Sequence, residues 1–406
     1  LQQGVGLLGI EQAVALVLEH VPPVGEERVP LAKSVHRVVA RDLHALVDSP
    51  SVNASLKDGY ALRSKDVESA SPERPVSMKL RGLSAAGSED MLRVAPGEAV
   101  RVLTGARIPE HADAVLSEEF AVRRGDQIEA FNVAEPGRNV LQKGTDVRIG
   151  QRVAAGGRAL TPGLVGLLAA AGHSAVLVHS RPSVAIIATG DEVVLPGRPL
   201  PEGKLYASNL ATLDAWCKRY RFGSRLEVVG DDPGQLGWAL ERAVAEADAV
   251  LTSGGAWTGD RDMVMRVLER LGWRRVFHRV RIGPGKAVGF GMLKGKPVFT
   301  LPGGPPSNLT AFLQVALPGL LKQSGRSRTS LPTLSVRMAE DVHGRSPDWT
   351  QYLFGRLEQR EPWLLFHPLR GVSRLRDMAE AQAVAAIPEG VTTIPGGATV
   401  TAQWLM

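Results

Sequence analysis

Hydrophobic residues along the chain fall into two textures. Between residues 181 and 325, short apolar runs end in glycine turns and are followed by stretches with apolar residues three and four apart. The run 184–187, bounded by Pro182 and Gly190, predicts a parallel strand covered on both faces, because a strand with one wet face alternates apolar with polar. Runs at 226–229, 247–251 and 298–301 repeat the design. Between the runs, Leu210, Leu213 and Cys217 share one helical face. So do Met263, Val264, Val267, Leu268 and Leu271, and again Leu309, Phe312, Leu313, Ala316, Leu317 and Leu320. Asp232, ahead of Pro233, and Ser307 are predicted helix caps. Strand and helix in alternation predict a doubly wound α/β domain.

The flanks read differently. Residues 11–21 have helical spacing at Ala13, Val14, Val17, Leu18 and Val21, and 31–46 look helical or mixed. From there to about 150, β-prone runs at 98–103, 114–116 and 127–131 alternate with turns, the texture of a β-rich insertion. A helix returns over 160–172, with Thr161 as N-cap and Pro162 at the first helical position. After Gly325 the texture is β again, a small sandwich or barrel. The expected domains are 1–45 with 150–178 (helical linker), 46–149 (β-rich insertion), 179–326 (α/β) and 327–406 (C-terminal β).

Composition narrows the chemistry. With 406 residues, 44% apolar and 22% charged, the chain is an ordinary globular protein of roughly two to four domains. Its 44 glycines and 27 prolines are dispersed, which points to tight turns and not to disorder. The net charge of +6 is interleaved with acids, with no basic run carrying aromatics; nucleic acid is excluded as a partner, and a small anionic ligand suits the excess. A single cysteine excludes an internal disulfide and a Cys-based zinc site. The opening ten residues lack a secretory signature. The longest apolar stretch, 161–180, is broken by Pro162, Gly163, Gly172 and His173, so no membrane partner is expected and the compartment is the cytoplasm.

Ligands of open α/β sheets bind outside the carboxyl ends of the strands. Placed side by side, the predicted strand ends bring together Thr189-Gly190-Asp191-Glu192, Asp231-Asp232, Ser253-Gly254-Gly255 and Pro302-Gly303-Gly304-Pro305. Ser253, Gly254 and Gly255 suit a phosphate cradle of backbone N–H groups, although a glycine pair is also simply a tight turn. Acids beside an anion site suggest a hard divalent cation such as Mg²⁺. Asp232 and Asp260 read as caps, Glu192 and Asp262 as functional. Downstream, Arg279-Val280-Arg281-Ile282-Gly283-Pro284-Gly285-Lys286 predicts a strand with Arg279 and Arg281 on one face and a loop that lets Lys286 reach inward to an anion. A plain solvated edge strand is the alternative. Asp58-Gly59-Tyr60-Ala61 and Thr104-Gly105-Ala106 are polar glycine turns without a specific message of their own.

Taken together, these residues resemble the molybdopterin molybdenumtransferase family, the MoeA proteins and the E domain of gephyrin. The resemblance rests on Asp58-Gly59-Tyr60-Ala61, Thr104-Gly105-Ala106, Gly144-Thr145-Asp146-Val147, Thr189-Gly190-Asp191-Glu192, Asp231-Asp232-Pro233, Thr252-Ser253-Gly254-Gly255, Asp262, Pro284-Gly285-Lys286 and Leu301-Pro302-Gly303, in family order from about residue 10 to 400. It implies a MoaB/MogA-like α/β domain and an elongated homodimer with its site between subunits. It also implies a transferase that inserts molybdenum from molybdate into adenylylated molybdopterin with release of AMP and with Mg²⁺. A molybdopterin adenylyltransferase is a candidate partner. By position, Asp58, Asp146, Glu192, Asp231 and Asp262 would be catalytic, Glu192 and Asp231 holding the metal. Thr104, Thr189, Gly190, Ser253, Gly254, Gly255, Arg279, Lys286, Pro302 and Pro305 would bind substrate.

The chain departs from that pattern at several places. Gly283 stands where a lysine is usual, Gly304 for asparagine, Ala207 for an acid, Lys57 for methionine and Arg279 for lysine, and Arg374-Leu375-Arg376 replaces small residues. Gly283, Gly304 and Ala207 favour an alternative reading, a weakened paralogue that binds molybdopterin or a partner as a scaffold. The retained acids and Lys286 favour the enzyme.

Overall fold

Strands form where apolar runs can be covered on both faces. The computed structural model describes residues 7–255, 263–370 and 374–406. Two units emerge, one of Arg28–Leu177 and one of Leu1–Glu27 with Val178–Met406.

In Arg28–Leu177, six strands make one sheet: β1 (Gly59–Leu62), β2 (Val76–Ser84), β3 (Glu98–Val102), β4 (Ala114–Ser117), β5 (Ala121–Arg124) and β6 (Gln127–Ala130), in the order β4-β1-β3-β2-β6-β5. Tyr60, Leu62, Met78, Leu116 and Ile128 fill one side and Ala61, Val100, Val102 and Val115 the other. The Gly59 region is therefore a strand and not only a turn. A side chain at Gly59 would collide with the Leu116 carbonyl, so the pairing requires glycine. Helix α1 (Pro162–Ala170) begins as expected: the Thr161 hydroxyl accepts the Leu164 N–H, and Pro162 occupies the first turn. The segment 31–46 is not a helix. Beyond a single 3-10 turn at Leu31–Lys33, its backbone is claimed from a distance, His36 N–H by Leu160 O and Val39 N–H by Arg158 O.

The other unit carries a six-stranded sheet of β7 (Ser183–Thr189), β8 (Gly223–Val229), β9 (Ala249–Ser253), β10 (Arg274–His278), β12 (Gly289–Leu293) and β13 (Lys296–Leu301), in the order β8-β7-β9-β13-β12-β10, with a short β11 (Ile282–Gly283) outside it. The β7–β8, β7–β9 and β9–β13 pairs are parallel, and β12 pairs antiparallel with both β13 and β10. Ile186, Leu251 and Phe299 face α2 (Ser208–Arg219) and the helix Ile10–His20. Ile187, Val250 and Val298 face α3 (Pro233–Glu246) and α4 (Met263–Arg270). Helices on both faces make the doubly wound α/β arrangement.

Asp232 caps α3, its carboxylate accepting the Gln235 N–H at 2.7 Å. Ser307 is not a cap. Helix α5 (Pro305–Ala311) starts at Pro305 with Gly304 as N-cap, because proline fits the first turn without a lost donor. A π-helical turn at Phe312–Ala316 joins it to α6 (Leu317–Gln323).

At the C-terminus, β14 (Thr333–Met338), β15 (Thr350–Arg360), β16 (Trp363–Pro368), β17 (Ala383–Ile387) and β18 (Thr399–Trp404) pair in the ring β15-β16-β14-β18-β17-β15. The alternative of sandwich or barrel resolves to a closed five-stranded barrel around Val336, Met338, Phe366, Ala385 and Ala402. Short β11 adds to β15 in parallel, Gly283 opposite Gln351. No helix among the described residues is long and apolar enough to cross a membrane.

Candidate active site

Because β8, β7, β9 and β13 are adjacent and parallel, the turns that follow them meet at one rim. Thr189 ends β7, Val229 ends β8, Ser253 ends β9 and Leu301 ends β13. Asp191 Oδ1 accepts the Asp231 N–H at 3.0 Å and ties the two acidic turns to each other. Glu192 is exposed, and its carboxylate folds back over Gly190: a β-carbon there would lie 2.5 Å from Oε2. Asp231 is also exposed. Asp260 and Asp262 lie outside the described residues.

The glycines do something other than the cradle expected of them. Gly254 and Gly255 have φ of 101° and 62°, and a β-carbon on Gly254 would stand 2.7 Å from the Thr189 carbonyl oxygen. Only glycine adopts this conformation freely and permits that approach. The N–H of Gly254 is spent on Leu301 O at 3.1 Å and that of Gly190 on Val229 O at 3.3 Å. These two residues close the turns on one another and offer no amide to a ligand.

The polar centre of the rim is Ser253. Its hydroxyl accepts from Asn209 Nδ2 at 3.1 Å and from Asn308 Nδ2 at 3.0 Å. The same amides donate to Gly303 O and Pro302 O, each at 2.8 Å. With both lone pairs engaged, the hydroxyl keeps its proton as a donor for a ligand. Sequence reasoning missed both asparagines as site residues. The available signal was Asn308, a polar group that interrupts an apolar helical stripe and is only 1% exposed. Such a group is buried only when its hydrogen bonds are made.

The basic loop is not the predicted strand. β10 ends at His278, and Arg279 has a φ of 71°, a conformation that costs energy for a bulky residue and collects at functional loops. Arg279 N–H bonds Val288 O, and Arg281 N–H bonds Leu8 O, each at 2.8 Å. Arg281 is neutralised, its guanidinium reaching Glu389 at 2.9 Å and the Leu7 carbonyl. Lys286 instead places its ammonium 4.7 Å from the centre of the Trp349 ring.

In Arg28–Leu177, Asp58 Oδ1 accepts both the N–H of Thr104 at 2.7 Å and its hydroxyl at 2.8 Å. These bonds, the backbone one foremost, hold the Asp58 carboxyl below the usual carboxylate range. Asp146 lies on the turn opened by Gly144, where its N–H bonds Ser49 O at 2.9 Å. The strand Ala54–Ser55 ties these loops together, pairing with Val140–Leu141 and bonding Ala106 O. Lys57 reaches Glu119 at 3.7 Å in an exposed pair, of the kind that contributes little to stability.

Among the described residues no three His, Cys, Asp or Glu gather into a metal cage. The rim supplies oxygen donors alone, which fits Mg²⁺, an ion that takes one or two carboxylates and draws its remaining ligands from water and phosphate.

Three cavities lie nearby. One of about 540 Å³ is lined by Gly283, Pro284, Gly304, Ser307, Arg345, Trp349 and Arg374, among others. It joins the end of β13 and the basic loop to the barrel. Another, about 190 Å³, opens under β8 beside α3. Its charged groups satisfy one another, Arg242 with Glu227 at 2.5 Å and Arg225 with Glu246, leaving little for a ligand. A third, about 400 Å³, lies at the end of β8 against Val229, Gly234 and Trp238; the cavity of about 540 Å³ is the one that adjoins both β13 and the basic loop.

Comparison with known proteins agrees with this arrangement. Residues 8–172 match the family described as the MoeA N-terminal region (domain I and II), and residues 185–322 match the probable molybdopterin binding domain. A protein of Mycobacterium tuberculosis named molybdopterin molybdenumtransferase 2 is 31% identical over 378 residues, 91% of this chain and 92% of its own. A molybdopterin molybdenumtransferase of Synechococcus elongatus is 33% identical over 402 residues, 97% of this chain and 98% of its own. Among solved structures, a molybdopterin biosynthesis MoeA protein from Pyrococcus horikosii aligns with a TM-score of 0.84 at 33% identity, covering 98% of this chain and 99% of that one.

Proposed function

The chain belongs to the molybdopterin molybdenumtransferase family, and from that premise we propose that it inserts molybdenum from molybdate into adenylylated molybdopterin and releases AMP. It acts in the cytoplasm as a homodimer whose site draws on both subunits, with Mg²⁺. The observation that carries this reading is the shared rim: four parallel strand ends that bring the acidic turns of Glu192 and Asp231 and the Ser253 hydroxyl to one edge of the sheet.

Each residue has a task that its surroundings support. Ser253, fixed by two amides, donates its proton to an anionic oxygen of the substrate. Lys286 and Arg279 neutralise charge as two anions are brought together, the main electrostatic demand of such a reaction. Glu192 and Asp231 would hold Mg²⁺, which supplies charge neutralisation at the pyrophosphate. Asp58 stays ionised and fixes the Thr104 loop. Pro302 and Pro305 shape the turn that carries Gly303 to Asn209.

Purified protein incubated with adenylylated molybdopterin, molybdate and Mg²⁺ should release AMP in proportion to molybdenum transferred. Pterin binding with no AMP release would instead favour the scaffold reading that Gly283, Gly304 and Ala207 keep open.

A further inference from the structure

Two cations leave the same loop, and the barrel treats them differently. Arg281 is given a carboxylate, Glu389, at 2.9 Å. Lys286 is given an aromatic face, Trp349, at 4.7 Å, and makes no ion pair with any described residue. A carboxylate cancels a charge and occupies its N–H donors. An indole ring attracts the ammonium through its quadrupole and leaves the charge and the remaining donors available.

The ring is held in register with the loop. Thr350, the next residue, donates its N–H to Arg281 O at 3.1 Å, and β11 pairs Ile282 with Thr350 and Gly283 with Gln351. Trp349 also lines the cavity of about 540 Å³, together with Arg345 and Arg374. Both Lys286 and Trp349 are half-buried, so the attraction acts in partly dry surroundings, where it is stronger.

We propose that Trp349 is a positioning residue for Lys286: its indole face holds the ammonium beside the cavity without neutralising it, presenting the lysine to an anionic group of the substrate. This rests on the proposed function for the identity of that substrate, while the anion-holding role stands on the geometry alone.

The test uses the full-length protein and inorganic pyrophosphate, a probe that needs no molybdenum chemistry, with affinity measured by calorimetry. Trp349→Leu should weaken binding by about three- to tenfold, and Trp349→Phe, which keeps a ring, should stay within about twofold of wild type. Lys286→Met should weaken binding at least as much as Trp349→Leu, and adding Trp349→Leu to it should cost nothing further. Pyrophosphate should also change the fluorescence of the wild type but not of Trp349→Phe or Lys286→Met, a readout that holds even if the leucine variant folds poorly. Unchanged affinity in Trp349→Leu, an equal loss in the Lys286→Met background, or a wild type that does not bind pyrophosphate would each overturn the inference. Coupling without AMP release would leave it intact and sink the insertase reading; AMP release without coupling would do the reverse.

Discussion

Ser253 accepts two amide hydrogen bonds at once, from asparagines 44 and 55 residues away. Ser253→Ala leaves one N–H of each amide without its partner while the bonds to Gly303 O and Pro302 O remain, and a buried donor without a partner costs about 1–3 kcal/mol. Urea unfolding should therefore show a loss of that size, and a midpoint equal to wild type would mean that water replaces the hydroxyl at no cost. At Asp58 the sign of the pH effect follows from the bonds it accepts. Its folded pKa is depressed by the Thr104 N–H and hydroxyl, so the clamp is complete above the ordinary carboxylate range and fails as the pH falls through the depressed value. The Thr104 amide signal should follow that titration in acid and lose it in Asp58→Asn; an amide indifferent to acid would remove the clamp. The turns that carry Glu192 and Asp231 were legible in the sequence because glycines mark the strand ends beside them. Asn209 and Asn308 were not, since local periodicity carries no record of a partner so far along the chain.

Strands β9 and β13 set Thr252 opposite Thr300 on one face of the sheet, both fully buried, and neither hydroxyl has a partner among the described residues. Replacing both with valine removes two unpaired groups from the core and should raise stability by up to about 1 kcal/mol in thermal or chemical unfolding. A loss would show that the hydroxyls find partners after all. The elements of the α/β sheet could be read because a strand buried on both faces has an unbroken apolar signature. The segment 31–46 could not, as its long-range hydrogen bonds go to residues between 151 and 177. The Arg279 region failed for a related reason: alternation of charges imitates a strand where the backbone in fact turns through a left-handed residue. The cap at Asp232 was right and that at Ser307 wrong, because prolines at 305 and 306 start the helix earlier.

At the scale of the chain, the ordered set of motifs gave the family, and barrel closure was visible only once the β15–β17 pairing joined the ends of the ring. The proposed homodimer makes its own prediction. Asp58→Asn and Glu192→Gln, each inactive alone, should regain about a quarter of wild-type activity when co-expressed, since half of randomly paired dimers would hold one intact composite site. No recovery would confine the site to a single subunit. One further feature matters to the life of the molecule. Cys217, the chain's sole cysteine, is sealed on the helix that begins at Ser208-Asn209, where burial pushes its thiol up to about 12. An oxidant meets no thiolate there, so oxidative damage at this residue falls on chains that have already lost their structure.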